Sequence, residues 1–260
     1  MKLRKEKAIK NGKLYGIGYT AVVEPSVSNM GYITTALPYN EREKSGHKGG
    51  AIASASVAIG PMGGVYVTCD SLPQGQGHKT VLAQVVADIF GISFETVNVN
   101  TELDTQKDPW SIAAGNYSSR FAGAVAGTTA LAAKKLKTKL ALIASSKLNC
   151  KTENLVFENN YVLDKNNIEN KIPFNRLGGN EHWSPSQLNE SSQNGLQEIV
   201  QWSPQELKPP NQKDQINGSL AYGFVFDVCG LEIDPMTGKT KIDRYITGPV
   251  SYTHLRAHET

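Results

Sequence analysis

Only three cysteines occur in 260 residues, at positions 69, 150 and 229, and they share no paired spacing. No CxxC, zinc or iron–sulfur pattern is present, and an odd, sparse count favours a reducing compartment over a disulfide framework. No run of 18 apolar residues exists, so no transmembrane segment is expected. The N-terminus lacks the apolar stretch of a secretory signal, which leaves the cytoplasm as the expected location. No Gly-x-Ser-x-Gly elbow appears, and no serine is matched to a triad. His47 and His182 stand at no ligand spacing from His78, so no protein-built metal site is expected. Excess charge is scarce as well. The 27 Lys and Arg against 24 Asp and Glu leave +3, and residues 1–13 carry six basic side chains with one acidic. The remaining chain is therefore mildly acidic. A lysine-rich stretch at 134–151 has no aromatic interleaving, so no nucleic-acid partner is expected.

Glycine is the residue in excess, at 24 of 260. Tight turns and close backbone approaches follow from its freedom at positive φ. Residues 14–24 read as a strand, and 25–48 as a polar loop or loose hairpin. Residues 50–60 and 65–70 form the clearest hairpin, turning at Gly60-Pro61-Met62-Gly63-Gly64. Val81, Leu82, Val85, Val86, Ile89 and Phe90 recur at helical spacing, so a helix starts near Gly77 to Lys79 and stops at Gly91. A short strand is expected at 94–100. An irregular connection over 101–119 precedes an alanine- and lysine-rich helical run to about Leu148, with Val125, Leu131, Leu136, Leu140 and Ile143 on its buried side. This run is one helix, or two broken near 137–139. A hairpin turns at Asn159-Asn160, and a last hairpin joins 219–233 to 239–246.

The fold class expected is α+β, with antiparallel hairpins and packed helices rather than regular βαβ units. The expected division is a basic segment at 1–13, a first portion at 14–164, a long irregular excursion at 165–218, a hairpin at 219–248 and a tail at 249–260. Cys229 sits among alternating apolar residues and reads as a buried thiol. Trp110 and Trp183 read equally as channel lining or as packing.

Two stretches carry ligand chemistry. In Gln74-Gly75-Gln76-Gly77-His78-Lys79-Thr80 the glycines admit close backbone approach, and the helix start behind them offers free N–H groups to an anion. Gln74 and Gln76 supply amides suited to a heterocycle, and Thr80 adds a donor. The stretch is not a Walker A loop, because His78 separates Gly77 from Lys79, and it lacks GxGxxG spacing. A purely structural glycine turn remains the alternative. The second stretch runs from Ser111 to Arg120. Ala113, Ala114 and Gly115 are small, and Ser118, Ser119 and Arg120 suit a phosphate or, equally, a helix N-cap beside a surface arginine. Together the two suggest one anionic cofactor between two helix starts. For His78, capping or cofactor hydrogen bonding is favoured over catalysis. Asp104 and Asp108 are spaced i,i+4, but in a loop.

Residues 73–92, PQGQGHKTVLAQVVADIFGI, resemble the pterin-binding segment of the molybdenum hydroxylase large subunits, the xanthine dehydrogenase, aldehyde oxidoreductase and aerobic carbon monoxide dehydrogenase family. Residues 104–127 resemble that family's next cofactor segment, and residues 221–247 its late hairpin, in family order. The resemblance implies a fragment of the molybdopterin-binding domain. It implies molybdenum on molybdopterin, in its plain or cytosine dinucleotide form. Gln74, Gly75, Gln76, Gly77 and His78 fall on the first contact stretch, with Thr80 beside them. Ala113, Ala114, Gly115, Ser118 and Ser119 fall on the second. The implied reaction hydroxylates an aldehyde or N-heterocyclic carbon of a small-molecule substrate with oxygen from water. Electrons then leave to an iron–sulfur subunit and a flavin (FAD) subunit, in a dimer of heterotrimers.

The sequence also departs from the family. The catalytic glutamate of a late Gly-x-Gly-Glu segment has no counterpart, and the early substrate-side loop would precede residue 1. The ending SYTHLRAHET matches no family element and reads as adapter read-through, so His254 and His258 carry no functional weight. The chain is therefore expected to be part of a larger subunit, inactive alone, with a non-native tail. A non-catalytic pterin-binding or interaction module, or an unrelated nucleotide- or phosphate-binding domain, is the alternative.

Overall fold

The computed structural model describes residues 1–45, 52–112, 114–183 and 195–249. His47, Ala113, His254 and His258 lie outside the described residues, as does all of the expected tail but Pro249. The elements in chain order are α1 (Lys2–Lys10), β1 (Leu14–Ser28), α2 (Tyr39–Ser45), β2 (Ala53–Ile59), β3 (Val65–Cys69), α3 (His78–Phe90) and β4 (Val97–Asn100). They continue with α4 (Gly127–Leu148), β5 (Leu155–Glu158), β6 (Tyr161–Asp164), β7 (Asn167–Pro173), α5 (Phe174–Trp183), β8 (Gln197–Trp202), β9 (Ser219–Ile233) and β10 (Thr240–Pro249). The mixed α+β class, built on antiparallel hairpins with packed helices, is observed.

The chain divides into two compact units. One comprises Met1–Ser26 with Ser219–Thr260, the other Val27–Gly218. The first holds a three-stranded sheet in the order β1-β9-β10, where β9 and β10 pair antiparallel with Val228 opposite Ile246. The basic N-terminal segment holds the helix α1. Arg4 pairs with Asp243 at 2.8 Å, and Lys13 pairs with Asp234. Tyr15 also donates its hydroxyl to Asp243 at 2.8 Å. Asp243 is thus held below the usual carboxylate range, chiefly by the Tyr15 bond. The Lys13 bond, with two backbone N–H groups, takes Asp234 down to about 2.

The larger unit is built on a four-stranded sheet ordered β4-β3-β2-β8. β2 is buried on both faces, and its Ala and Ser residues let α4 lie close upon it. β2 and β3 pair antiparallel with Val57 opposite Val67, as the hairpin pattern predicts. β3 and β4, by contrast, run parallel through the crossover helix α3, with Val67 opposite Val99. One βαβ unit is therefore present among the antiparallel pairs, where no regular βαβ units were expected. The reason is that a 13-residue helix can reverse the chain so that the next strand re-enters from the same end. Leu82, Val86 and Phe90 of α3 and Leu136 and Leu140 of α4 fill the core with Val57, Val65 and Val67, all below 2% exposed. Each such side chain contributes about 1.5–3 kcal/mol relative to exposure.

α3 occupies the expected span. Gly77 and Gly91 flank it, both in the left-handed region. α4 runs unbroken through 137–139, because its buried face has no polar interruption there. Leu131 is 41% exposed and stands off the buried stripe, whose true members are Ala132, Ala133, Leu136, Leu140 and Ile143. Asn159 and Asn160 make the turn between β5 and β6 at positive φ. Residues 165–218 hold β7, α5 and β8 instead of an irregular excursion, and β8 completes the central sheet beside β2. Its alternation, with Val200 in and Ile199 53% exposed, is too short to stand out among polar neighbours. Residues 25–48 likewise carry the end of β1, a 3₁₀ turn at Gly31–Ala36 and α2. Cys229 is half-buried, whereas Cys69 is buried and its thiol pushed up by burial.

Candidate functional site

The parallel pair places the carboxyl ends of β3 and β4 side by side, the usual location of ligand sites in parallel sheets. Residues 70–77 leave β3 at that end and deliver the chain into α3. Gln74, Gly75, Gln76 and Gly77 are all exposed, as are Lys79 and Thr80. Gly75 has φ 101° and Gly77 φ 73°, and a Cβ at either would meet nothing within 4 Å. Open space thus lies over a left-handed backbone. Gly77 is the N-cap of α3 and makes no side-chain cap bond, while its carbonyl accepts from Val81. The first-turn N–H groups and the positive helix end face that space. The Gln74 N–H donates to Gln76 Oε1 at 2.7 Å, closing the loop on itself.

The second stretch lies against this loop. Gly115, at φ 128°, donates its N–H to the Asp70 carbonyl at 3.0 Å, and Ala114 donates to the Ser111 carbonyl. Asn116 bridges the two. Its Nδ2 donates to the Leu72 carbonyl and approaches Gln76 Oε1 at 3.5 Å, while its Oδ1 accepts from Ser71 Oγ. The structure therefore brings 74–77 and 114–116 together at one end of the central sheet.

Ser118 and Ser119 both adopt positive φ, at 58° and 43°, a costly state for consecutive L-residues of about 1–2 kcal/mol each. Neither caps a helix. Ser118 Oγ instead accepts from the Ser28 N–H at 3.1 Å and bonds Ser28 Oγ at 2.5 Å, while its carbonyl accepts from Val27. Ser119 remains exposed. The strained pair turns the chain so that Arg120 points inward, ahead of a π-helical turn at Phe121–Ala126.

Arg120 is neither a surface arginine nor a phosphate ligand. It is 0% exposed and pairs with Asp70 at 2.5 Å. Its guanidinium also donates to the carbonyls of Ile52, Asp70 and Gly115. Asp70 Oδ2 accepts from the N–H groups of Ser54 and Ser111 and from Ser111 Oγ. Asp70, Ser71 and Arg120 hold the site together, yet the sequence carries no signal for them beyond an Asp closing an apolar strand and an Arg after small residues.

His78 is 1% exposed and lies beneath the loop. Its Nε2 is 2.8 Å from Ser71 Oγ, and its ring stacks on Phe121 with centroids 3.8 Å apart. Burial lowers its pKa; the Asn116 bond opposes this and the Arg120 charge adds to it. Asp108 accepts from the Asp104 N–H at 2.8 Å, and Asp104 pairs with Lys107, so the two carboxylates close a turn. Among the described residues, no group of three or more His, Cys, Asp or Glu could hold a metal ion, and no helix is long and apolar enough to cross a membrane.

Parallel-strand ends, an uncapped helix start behind glycines and a second small-residue loop define a cofactor-binding domain. Over residues 1–248 the chain matches the molybdopterin cofactor-binding domain, and it belongs to that family. It is 27% identical to the nicotine 6-hydroxylase large subunit of Paenarthrobacter nicotinovorans over 241 residues, 93% of this chain and 26% of that protein. It is 28% identical to the carbon monoxide dehydrogenase large chain of Hydrogenophaga pseudoflava, over 75% of this chain and 22% of that one. The carbon monoxide dehydrogenase structure from Oligotropha carboxidovorans aligns with TM-score 0.65 and 25% identity, over 94% of this chain and 27% of that one. Quinoline 2-oxidoreductase from Pseudomonas putida 86 shares the fold, with TM-score 0.66 and 22% identity over 95% of this chain and 28% of that one. The chain spans about a quarter of the length of these relatives. Family membership replaces the reading of 74–80 as the loop of an unrelated nucleotide-binding domain.

Proposed function

We propose that residues 74–80 and 113–119 hold the pterin and its phosphate in a molybdenum-dependent oxidoreductase subunit. The observation that carries this reading is the Asn116 bridge, which joins the two loops into one open, glycine-lined cradle at the start of α3. The cradle fits such a group. Gly75 and Gly77 leave room for its approach, the first-turn N–H groups of α3 suit its phosphate, and the Gln74 and Gln76 amides match a ring with both donors and acceptors. Ala114, Gly115, Ser119 and Thr80 join the proposal by their positions on or beside the two loops. Ala113 belongs to the proposal through the family's second segment alone. Ser118 and His78 act from below, one fixing the turn and the other the loop base.

When bound, the cofactor supplies a two-electron redox centre able to hydroxylate an aldehyde or N-heterocyclic carbon with oxygen from water. The name of one relative, nicotine 6-hydroxylase, favours an N-heterocycle. The part of these residues is to bind the pterin, exclude water from its polar edge and orient it. Iron–sulfur and flavin (FAD) subunits would accept the electrons, in a dimer of heterotrimers in the cytoplasm.

The test is metal and pterin analysis of the full-length subunit produced with its partners and the maturation machinery. Stoichiometric molybdenum and pterin support the reading. Absence of both, with maturation intact, overturns it.

A further inference from the structure

The bonds around His78 have a fixed direction. Asn116 Nδ2 donates to the Leu72 carbonyl, which sets the amide so that Oδ1 faces Ser71. Ser71 Oγ has one proton, and it goes to Asn116 Oδ1. The contact between His78 Nε2 and Ser71 Oγ must then be a donation from the ring. Nε2 of His78 thus carries a proton, and its buried Nδ1 has no partner among the described residues. A second proton would create a buried N–H with no acceptor. It would also place a charge near Arg120, the residue just ahead of the π-helical turn. The carboxylate of Asp70 at the end of β3 is already paired with that arginine, and Lys79 on α3 is exposed. Phe121 offers only its ring face.

We propose that neutral His78 is a positioning residue, a latch that uses Ser71 and Asn116 to lock the 74–77 loop against the 114–116 loop before any ligand arrives. The proposal rests on the cofactor reading of these loops. Ordering them beforehand spares the ligand the entropy of fixing two glycine-rich segments. The latch gives His78 a role distinct from contact with the cofactor, because its ring is enclosed by the protein.

The experiment is backbone hydrogen exchange of residues 72–77 and 114–119 in the full-length subunit, with pterin content measured on the same samples. His78→Gln keeps an N–H donor near the position of Nε2, whereas His78→Leu keeps bulk against Phe121 without a donor. Ser71→Ala removes the central oxygen with the least disturbance. Wild type and His78→Gln are expected to exchange within twofold of each other. His78→Leu and Ser71→Ala are expected to exchange at least tenfold faster in both stretches, and to hold less pterin. Corrected for intrinsic exchange, wild-type protection should fall as pH drops through the His78 titration, and that of His78→Gln should not. Unchanged protection in Ser71→Ala overturns the latch, whether or not His78→Leu folds. A wild-type subunit without pterin overturns the cofactor reading instead, and the exchange data still decide the latch.

Discussion

Arg120 Nη2 lies 2.5 Å from Asp70 Oδ1, and both side chains are fully buried. The pair ties the end of β3 to the carbonyls of Ile52 and Gly115, three segments distant in sequence. Two ions removed from water are tolerated only because nearly every donor and acceptor is matched. Arg120→Met leaves the Asp70 charge unpaired, and a loss of about 3–5 kcal/mol is expected. Urea unfolding of the full-length subunit measures it. The double variant with Asp70→Asn should recover part of the loss, since the orphan charge is then gone.

Glycines in this chain separate into fold and site. A Cβ at Gly91 would fall 2.1 Å from the Phe157 carbonyl oxygen, on a backbone at φ 63°. At Gly238 the φ is 68°, but nothing lies within 4 Å. Gly238→Ala should therefore cost only about 1 kcal/mol of conformational strain. Gly91→Ala should cost clearly more, as β5 must move. Thermal unfolding of the two variants side by side gives the ranking.

Gly77→Ala has the opposite profile. Its Cβ meets nothing in the protein, so stability should fall by only about 1 kcal/mol. The methyl enters the space over the start of α3, and pterin content should fall several-fold. Retention of full pterin content in a folded Gly77→Ala subunit would contradict the assignment of this loop.

The Lys13–Asp234 pair, which joins the start of β1 to the β9–β10 turn, predicts an acid limit for that turn. Asp234 drops from its usual 3.8 to about 2, chiefly through the Lys13 bond. A depressed carboxylate contributes stability that is complete above about pH 4 and is lost as pH falls toward 2. Lys13→Met should move that loss to higher pH. Exchange protection of residues 234–240 between pH 2 and 5 reads the shift.

Much of the chain was legible because its signals are local. The hairpin β2–β3, the span of α3 and the Asn159-Asn160 turn follow from period, glycine and turn chemistry within a dozen residues. The strand β8 was hidden, since its alternation is short and its partners lie 139 to 149 residues away. Leu131 misled because an alanine-rich helix buries small residues, and hydrophobicity then marks the packed face poorly.

The same division holds at the site. Residue order alone specified the two glycine-bearing loops and their family, because a left-handed turn before a helix start is a local property. Their meeting was not local. It depends on the parallel return of β4, on the strained turn at Ser118 and Ser119, and on where Arg120, His78 and Asn116 end up. A charged residue's type does not reveal whether it will be solvated or buried beside a counter-ion. Burial is a property of the packed chain, and there Arg120 took neither role open to it in the sequence, phosphate ligand or surface arginine, but a buried one beside Asp70.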